Sequence, residues 1–335
     1  MLRNLFGKKT SRDERVVHVG AFGKHPGWND HIDDLGLDTE RLIGAKRVVY
    51  VEGVGANIDS GAWDKLAEDQ RLEGFAHIFL WRVGGDVLLG RLWSSRDGKG
   101  RQKYPMVVVL HSRGLPVRWA LDVGLPALER VQQRCVETES AAQVREIMDG
   151  ARAELRESAT TVGAGAPELI IQKKVLGRLA GHPAMTAGPD GVARILYQIE
   201  REMGAYVPGT GGKSRTLDLR PQQIRVPACG SNAGDTALMW LQFMYTRLDS
   251  SAPVFVLVPL ERAWADALVG PIQGSQMFCM RATPKAVPLT SEIPYTLDEG
   301  FRAGVQREIA ASEEAPEVKL GPASATASKR FGVDL

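Results

Sequence analysis

Two apolar runs rich in β-branched and aromatic residues, 75–83 and 86–93, are separated only by Gly84 and Gly85. A two-residue connection needs positive φ at its centre, which glycine adopts without steric penalty, so the pair is predicted as a β-hairpin. Residues 105–111 add a Val-rich strand after it, and residues 16–22 supply an earlier strand ending at Gly23. Consecutive strands of this kind form an antiparallel meander. With a helix on one face, the expected fold class is α/β of the α+β kind, a mainly antiparallel sheet with flanking helices. Residues 47–51 are predicted as another strand. Residues 61–70 are predicted as a helix capped by Asp59 or Ser60, with Trp63, Leu66 and Ala67 on its inner face.

Downstream the periodicity changes. Leu128, Val131, Cys135, Val144, Ile147 and Leu155 recur at spacings near three and four among polar residues, predicting helix over 126–158. Further helices are expected over 168–179 and 191–203, and a Gly/Ser/basic linker follows. A second, smaller α/β unit is then expected, with helices over 235–248 and 261–269 and strands over 254–260 and 276–281; residues 299–309 supply a last helix. The organisation is therefore a basic flexible N-terminus (1–15), a first α/β domain (16–125), a helical middle (126–207), a linker (208–222), the second unit (223–311) and a Ser/Ala/Glu/Pro-rich disordered tail (312–335).

The chain of 335 residues carries 44% hydrophobic and 24% charged residues, enough to bury sizeable cores. Its 42 basic and 40 acidic residues nearly balance, at net +2, which argues against a nucleic-acid partner. Three cysteines, Cys135, Cys229 and Cys279, lie far apart and fit a reducing cytoplasm rather than a disulfide framework. No apolar run reaches the ~18–20 residues of a membrane-spanning helix, and the basic N-terminus lacks the apolar core of a secretory signal.

Several partial motifs fail on context. Residues 208–214 imitate a phosphate-binding loop, but Val207 stands where the first glycine belongs, and Pro221 closes the segment behind it. Gly53 and Gly55 give half a dinucleotide fingerprint, with Ile58 in place of the third glycine. His25, Asp30, His31, Asp33 and Asp34 carry metal-ligand atoms at a spacing that no common site uses. No cofactor is expected. Cys229 is the cysteine best placed to react, and Trp63, Trp81, Trp240 and Trp264 are expected in the core.

Two Gly/Pro/Asp-rich loops carry the strongest functional signal. The first contains Gly23, Lys24, Pro26, Trp28 and Asp30; the second contains Ser95, Asp97, Gly100 and Arg101 and runs into Pro105. Loops this rich in turn residues contribute little to a core and are where function concentrates. Their pattern resembles the G-K-x-P-x-x-x-D and S-x-D-x-x-G-R segments of the N-terminal domain of the TagF family, accessory proteins of bacterial type VI secretion. Asn29 and His31 depart from the family's Gly and aromatic, and the link from Arg101 to Pro105 is one residue too long. The resemblance covers roughly the first third of the chain. It implies a non-catalytic cytoplasmic regulator that restrains assembly of the secretion apparatus through contacts with its components, a forkhead-associated protein among them. The nine loop residues named above are then the candidate partner-binding set, with Trp28 and Arg101 as expected hot spots. The alternative is an enzyme or a nucleotide- or anion-dependent switch, with Lys24, Asp30, Asp97 and Arg101 around the ligand.

Overall fold

The computed structural model describes residues 15–163, 166–171, 174–208, 220–312 and 318–320. Its centre is one seven-stranded sheet in the order β1-β4-β3-β2-β7-β8-β6, antiparallel at every pairing. The strands are β1 (Val16–Gly23), β2 (Ala76–Val83), β3 (Asp86–Ser94), β4 (Pro105–Arg113), β6 (Gln222–Pro227), β7 (Val254–Pro259) and β8 (Trp264–Val269). Gly84 and Gly85 sit at φ 58° and 85°, making the β2–β3 hairpin that the dipeptide predicts. A separate two-stranded ladder joins β5 (Leu169–Ile171) to β9 (Val318–Leu320), so part of the expected disordered tail is paired.

β4 is buried on consecutive residues from Pro105 to Ser112 rather than on alternate ones. A strand of that kind is covered on both faces, which explains its run Met106-Val107-Val108-Val109-Leu110. Helix α1 (Glu40–Ala45) continues directly into a wider, π-type stretch (Lys46–Gly55), which packs against the 3₁₀ segment Gly274–Met280. Helices α2 (Leu125–Val136) and α3 (Ala141–Thr160) pack on the β1–β4–β3 side, and α6 (Ala233–Tyr245) lies on β7 and β2. The short α4 (Val175–Ala180), α5 (Gly188–Glu202) and α7 (Glu299–Ser312) pack together at the far end.

The second unit does not build its own sheet. β7 pairs with β2 from His77↔Pro259 to Arg82↔Val254, and Phe255 stacks on Phe79 and meets Trp81 edge-on across the join. The two units thus share one continuous sheet.

Five local expectations are corrected. The helix expected over 168–179 is confined to Val175–Ala180, because Leu169–Ile171 pairs with β9 as strand β5. Residues 47–51 are helical, because Thr39 caps α1 by accepting from the Leu42 N–H and the helix buries Val48, Val49, Tyr50 and Val54. The helix expected over 61–70 is mostly turn. Trp264–Val269 is a strand, not a helix: Asp266 pairs across the ladder with Arg225 on β6, a strand the periodicity did not reveal. Residues 276–281 lie mostly in the 3₁₀ segment rather than in a strand. The stretch at 209–214 lies outside the described residues.

Candidate functional site

The site begins where β1 stops. Gly23 has φ 110°, and a Cβ there would lie 2.2 Å from the Pro105 carbonyl oxygen, so the position admits only glycine. The close approach lets the Lys24 N–H donate to that oxygen at 3.1 Å. The chain then returns along β1: the Ile32 N–H donates to Gly23 O at 2.7 Å, and Ala21 and Leu35 exchange bonds of 2.8 and 3.2 Å.

The second loop is organised by one carboxylate. Asp97 Oδ1 accepts the backbone N–H groups of Lys99 and Arg101, both at 3.0 Å. Such an aspartate-nucleated turn is the role that residue type commonly plays in loops. The Gly98 N–H donates to Trp28 O at 2.7 Å, stitching the second loop to the first.

Between the loops lies a buried ionic contact. Lys24 Nζ donates to Asp97 Oδ2 at 2.7 Å, and the two residues are 3% and 1% exposed. Arg101 Nε reaches the same oxygen at 2.6 Å, while its Nη2 bridges to Asp30 Oδ1 and Asn29 O, each at 3.0 Å. Burial alone would raise the Asp97 carboxyl, but Lys24, Arg101 and the turn N–H groups outweigh it and hold it well below the usual carboxylate range. Lys24 also lies 5.4 Å from the centre of the Tyr104 ring. His31 meets Tyr104 and Tyr50 edge-on, and the Tyr50 phenol is raised chiefly by burial.

The nine candidate residues thus fall into three groups. Gly23, Lys24 and Asp97 are buried and act as the loops' internal frame. Arg101, Asp30 and Gly100 are exposed, while Pro26, Trp28 and Ser95 are half-buried. Trp28 is anchored, since its Nε1 donates to Asp33 Oδ2 at 3.0 Å and Arg145 stacks 5.2 Å from the ring centre. Sequence reasoning missed Arg145 and Tyr50 as parts of this assembly, and read His31 as a possible metal ligand rather than as a ring packed on two tyrosines. Tyr50 carried no readable signal, because its segment looked like a strand.

The possible metal ligands are otherwise engaged. Gly27 N–H donates to His25 Nδ1 at 3.0 Å, so Nε2 carries the proton and donates to Cys135 O at 2.9 Å near the C-terminal end of α2. Burial lowers His25 and favours this neutral form. Asp30 and Asp33 hold the arginines named above, and Asp34 pairs with Lys46. Cys229 is fully buried and its thiol is pushed up to about 12, unlike an activated nucleophile.

Beside the loops, a cavity of about 390 Å³ opens between Pro26, Ser95, Arg96 and the end of α2, where Val136 is 66% exposed. No helix among the described residues is long and apolar enough to cross a membrane. No protein-family model matches the chain, and no curated protein matches it.

Proposed function

We propose that this chain is a non-catalytic cytoplasmic regulator of the TagF kind, restraining assembly of a type VI secretion apparatus through protein–protein contacts. The observation that carries the reading is the convergence of the two motif segments, seventy-odd residues apart in sequence, on the Lys24–Asp97 contact. A frame locked in this way holds the outer loop residues in fixed positions, which lowers the entropy cost of docking a partner. The contact surface is the exposed edge of the loops, Asn29, Arg96, Lys99, Arg101 and Gln102, together with the cavity beside Val136. An exposed aliphatic residue at the lip of a cavity bordered by Glu73, Arg96 and Glu139 suits a partner that presents an apolar side chain among polar ones, such as a forkhead-associated component of the apparatus. The alternative anion switch is less favoured, because the charges of Lys24 and Arg101 are already matched by Asp97 and Asp30.

The test is affinity capture from the cytosol of the source bacterium, with wild-type protein beside Val136→Glu and Lys99→Glu variants. Secretion components should be enriched by wild type and lost from both variants at unchanged thermal stability. Capture without any secretion component would overturn the reading.

A further inference from the structure

Strand β5 is held to the body of the fold from one side: the Val117 N–H donates to Glu168 O and Gln242 Nε2 donates to Ile170 O, each at 2.7 Å. Its ladder with β9 runs antiparallel, from Leu169↔Leu320 to Ile171↔Val318. Residues 321–335 therefore leave β9 heading past Glu168 and Pro167. Extended by two places, that register would set Pro322 opposite Pro167. Neither proline has an N–H to donate, so the ladder has to stop there.

Pro167 and Glu168 are also wall residues of a cavity of about 540 Å³ between β5, α4 and α6. The ladder thus releases the chain at the wall of this cavity. Val175, Leu238 and Met239 form an apolar part of the lining, and Arg118, Arg178 and Asp235 a charged part. Such a mixture suits a peptide better than a hydrocarbon. A covered peptide brings N–H and carbonyl groups that need hydrogen-bond partners, and a lining with arginines and a carboxylate holds both donors and acceptors.

The sequence beyond β9 has one segment with the matching pattern. Residues 323–328 are Ala, Ser and Thr only, without a large apolar side chain. Phe331, Val333 and Leu335 then alternate with Arg330, Gly332 and Asp334. In an extended conformation, alternation places the three apolar side chains on one face and the charged ones on the other.

We infer that the cavity is the docking site of this chain's own residues 329–335, bound in extended form with Phe331 against Leu238 and Met239. The tether is long enough. The eight residues 323–330 span at most ~26–29 Å, whereas the 13 residues of α6 extend only ~20 Å. A segment tethered this closely meets the wall at an effective concentration of order millimolar, so burial of a single phenylalanine ring suffices to hold it.

The test is the labelling rate, by N-ethylmaleimide, of a thiol placed on the wall of the full chain. Cys135, Cys229 and Cys279 are buried, so the reagent reports the new thiol. The Met239→Cys thiol should react at least ~10-fold more slowly than the same thiol in a chain that also carries Phe331→Ser, the factor that burying a phenylalanine ring supplies. A synthetic peptide of residues 323–335, added to the double variant, should restore the protection. Equal rates with and without Phe331 would overturn the docking site, as would a peptide without effect up to ~10 mM, above the effective concentration of the tether. Protection that grows with protein concentration would put the segment of a second copy in the cavity and overturn docking within one chain. Ser231→Cys, an exposed position on the same wall, gives the same comparison should Met239→Cys fail to fold.

Discussion

Asp86 is as heavily committed as Asp97, each accepting four hydrogen bonds. It is fully buried at the start of β3 and accepts from Arg41 Nε at 2.8 Å, Arg113 Nε at 2.6 Å, and Arg113 Nη2 and His111 Nε2 at 2.9 Å. Burial would raise its carboxyl, yet the surrounding His111, Arg113 and Arg41 hold it well below the usual range. A group whose folded pKa is depressed stabilises the fold above its unfolded value of ~3.9 and loses that contribution as pH falls through the folded value. Asp86→Asn should therefore cost about 3–5 kcal/mol near neutrality, as expected when one partner of a buried ionic cluster is removed. The gap in urea midpoint between wild type and variant should narrow as pH drops below ~4. An unchanged gap at pH 3 would mean that the carboxylate's charge is not what stabilises. At this scale the sequence was informative where turn chemistry spoke. Gly23, Lys24, Asp97 and Arg101 could be paired from their loops, because glycine and aspartate announce turns and opposite charges announce partners. Asp86 follows a glycine pair and looked like an ordinary hairpin residue; nothing local reveals Arg41, His111 and Arg113 arriving from other elements.

Among the elements, β1 has the most protected position. It is an edge strand of the sheet, but its outer side is occupied: Arg152 Nε donates to Val19 O at 2.9 Å, Arg156 Nε to Val17 O at 3.3 Å, and Leu35 and Ile32 take Ala21 and Gly23. Two arginines from α3 thus do for an edge what a neighbouring strand would do. Edge strands left open invite pairing with other chains. Replacing both arginines by leucine should lower stability by about 1–3 kcal/mol through lost charged-donor hydrogen bonds. Light scattering should rise with protein concentration, whereas a variant that stays monodisperse would show that the arginines do not guard the edge. The occupied edge also accounts for the helix at 47–51. A further strand had no open edge of β1 to join, so a segment rich in Val packed as a helix instead, tertiary context overriding a local preference. Trp264–Val269 erred the other way: Ala265, Asp266 and Ala267 favour helix or turn locally, but pairing to β6 and β7 and the buried Arg225 decide.

For the whole molecule, the ring stack of Phe79 on Phe255 at 5.1 Å couples the two halves of the sheet. Phe255→Ala should cost about 3–5 kcal/mol, the range for an aromatic removed from a tight core. Hydrogen exchange provides the sharper measurement. In one cooperative unit the variant's β3 and β8 amides lose protection together, whereas independent units would let β8 open while β3 stays protected. The antiparallel class was readable because hairpin chemistry is local. The union of the halves was not, because it depends on β2 meeting β7, and no pattern in either strand names its distant neighbour.

That union also bears on how the protein is made. His77 and Pro259 are paired in the sheet yet lie about half the chain apart. At elongation rates of ~5–20 residues per second, β2 leaves the ribosome roughly 10–40 s before β7. Through that interval β2 has β3 on one side and nothing on the other, and Ile78, Phe79, Leu80 and Trp81 wait as an uncovered strand. Translation speed and chaperone supply, rather than the stability of the finished fold, then set the yield of correctly assembled protein in the cell.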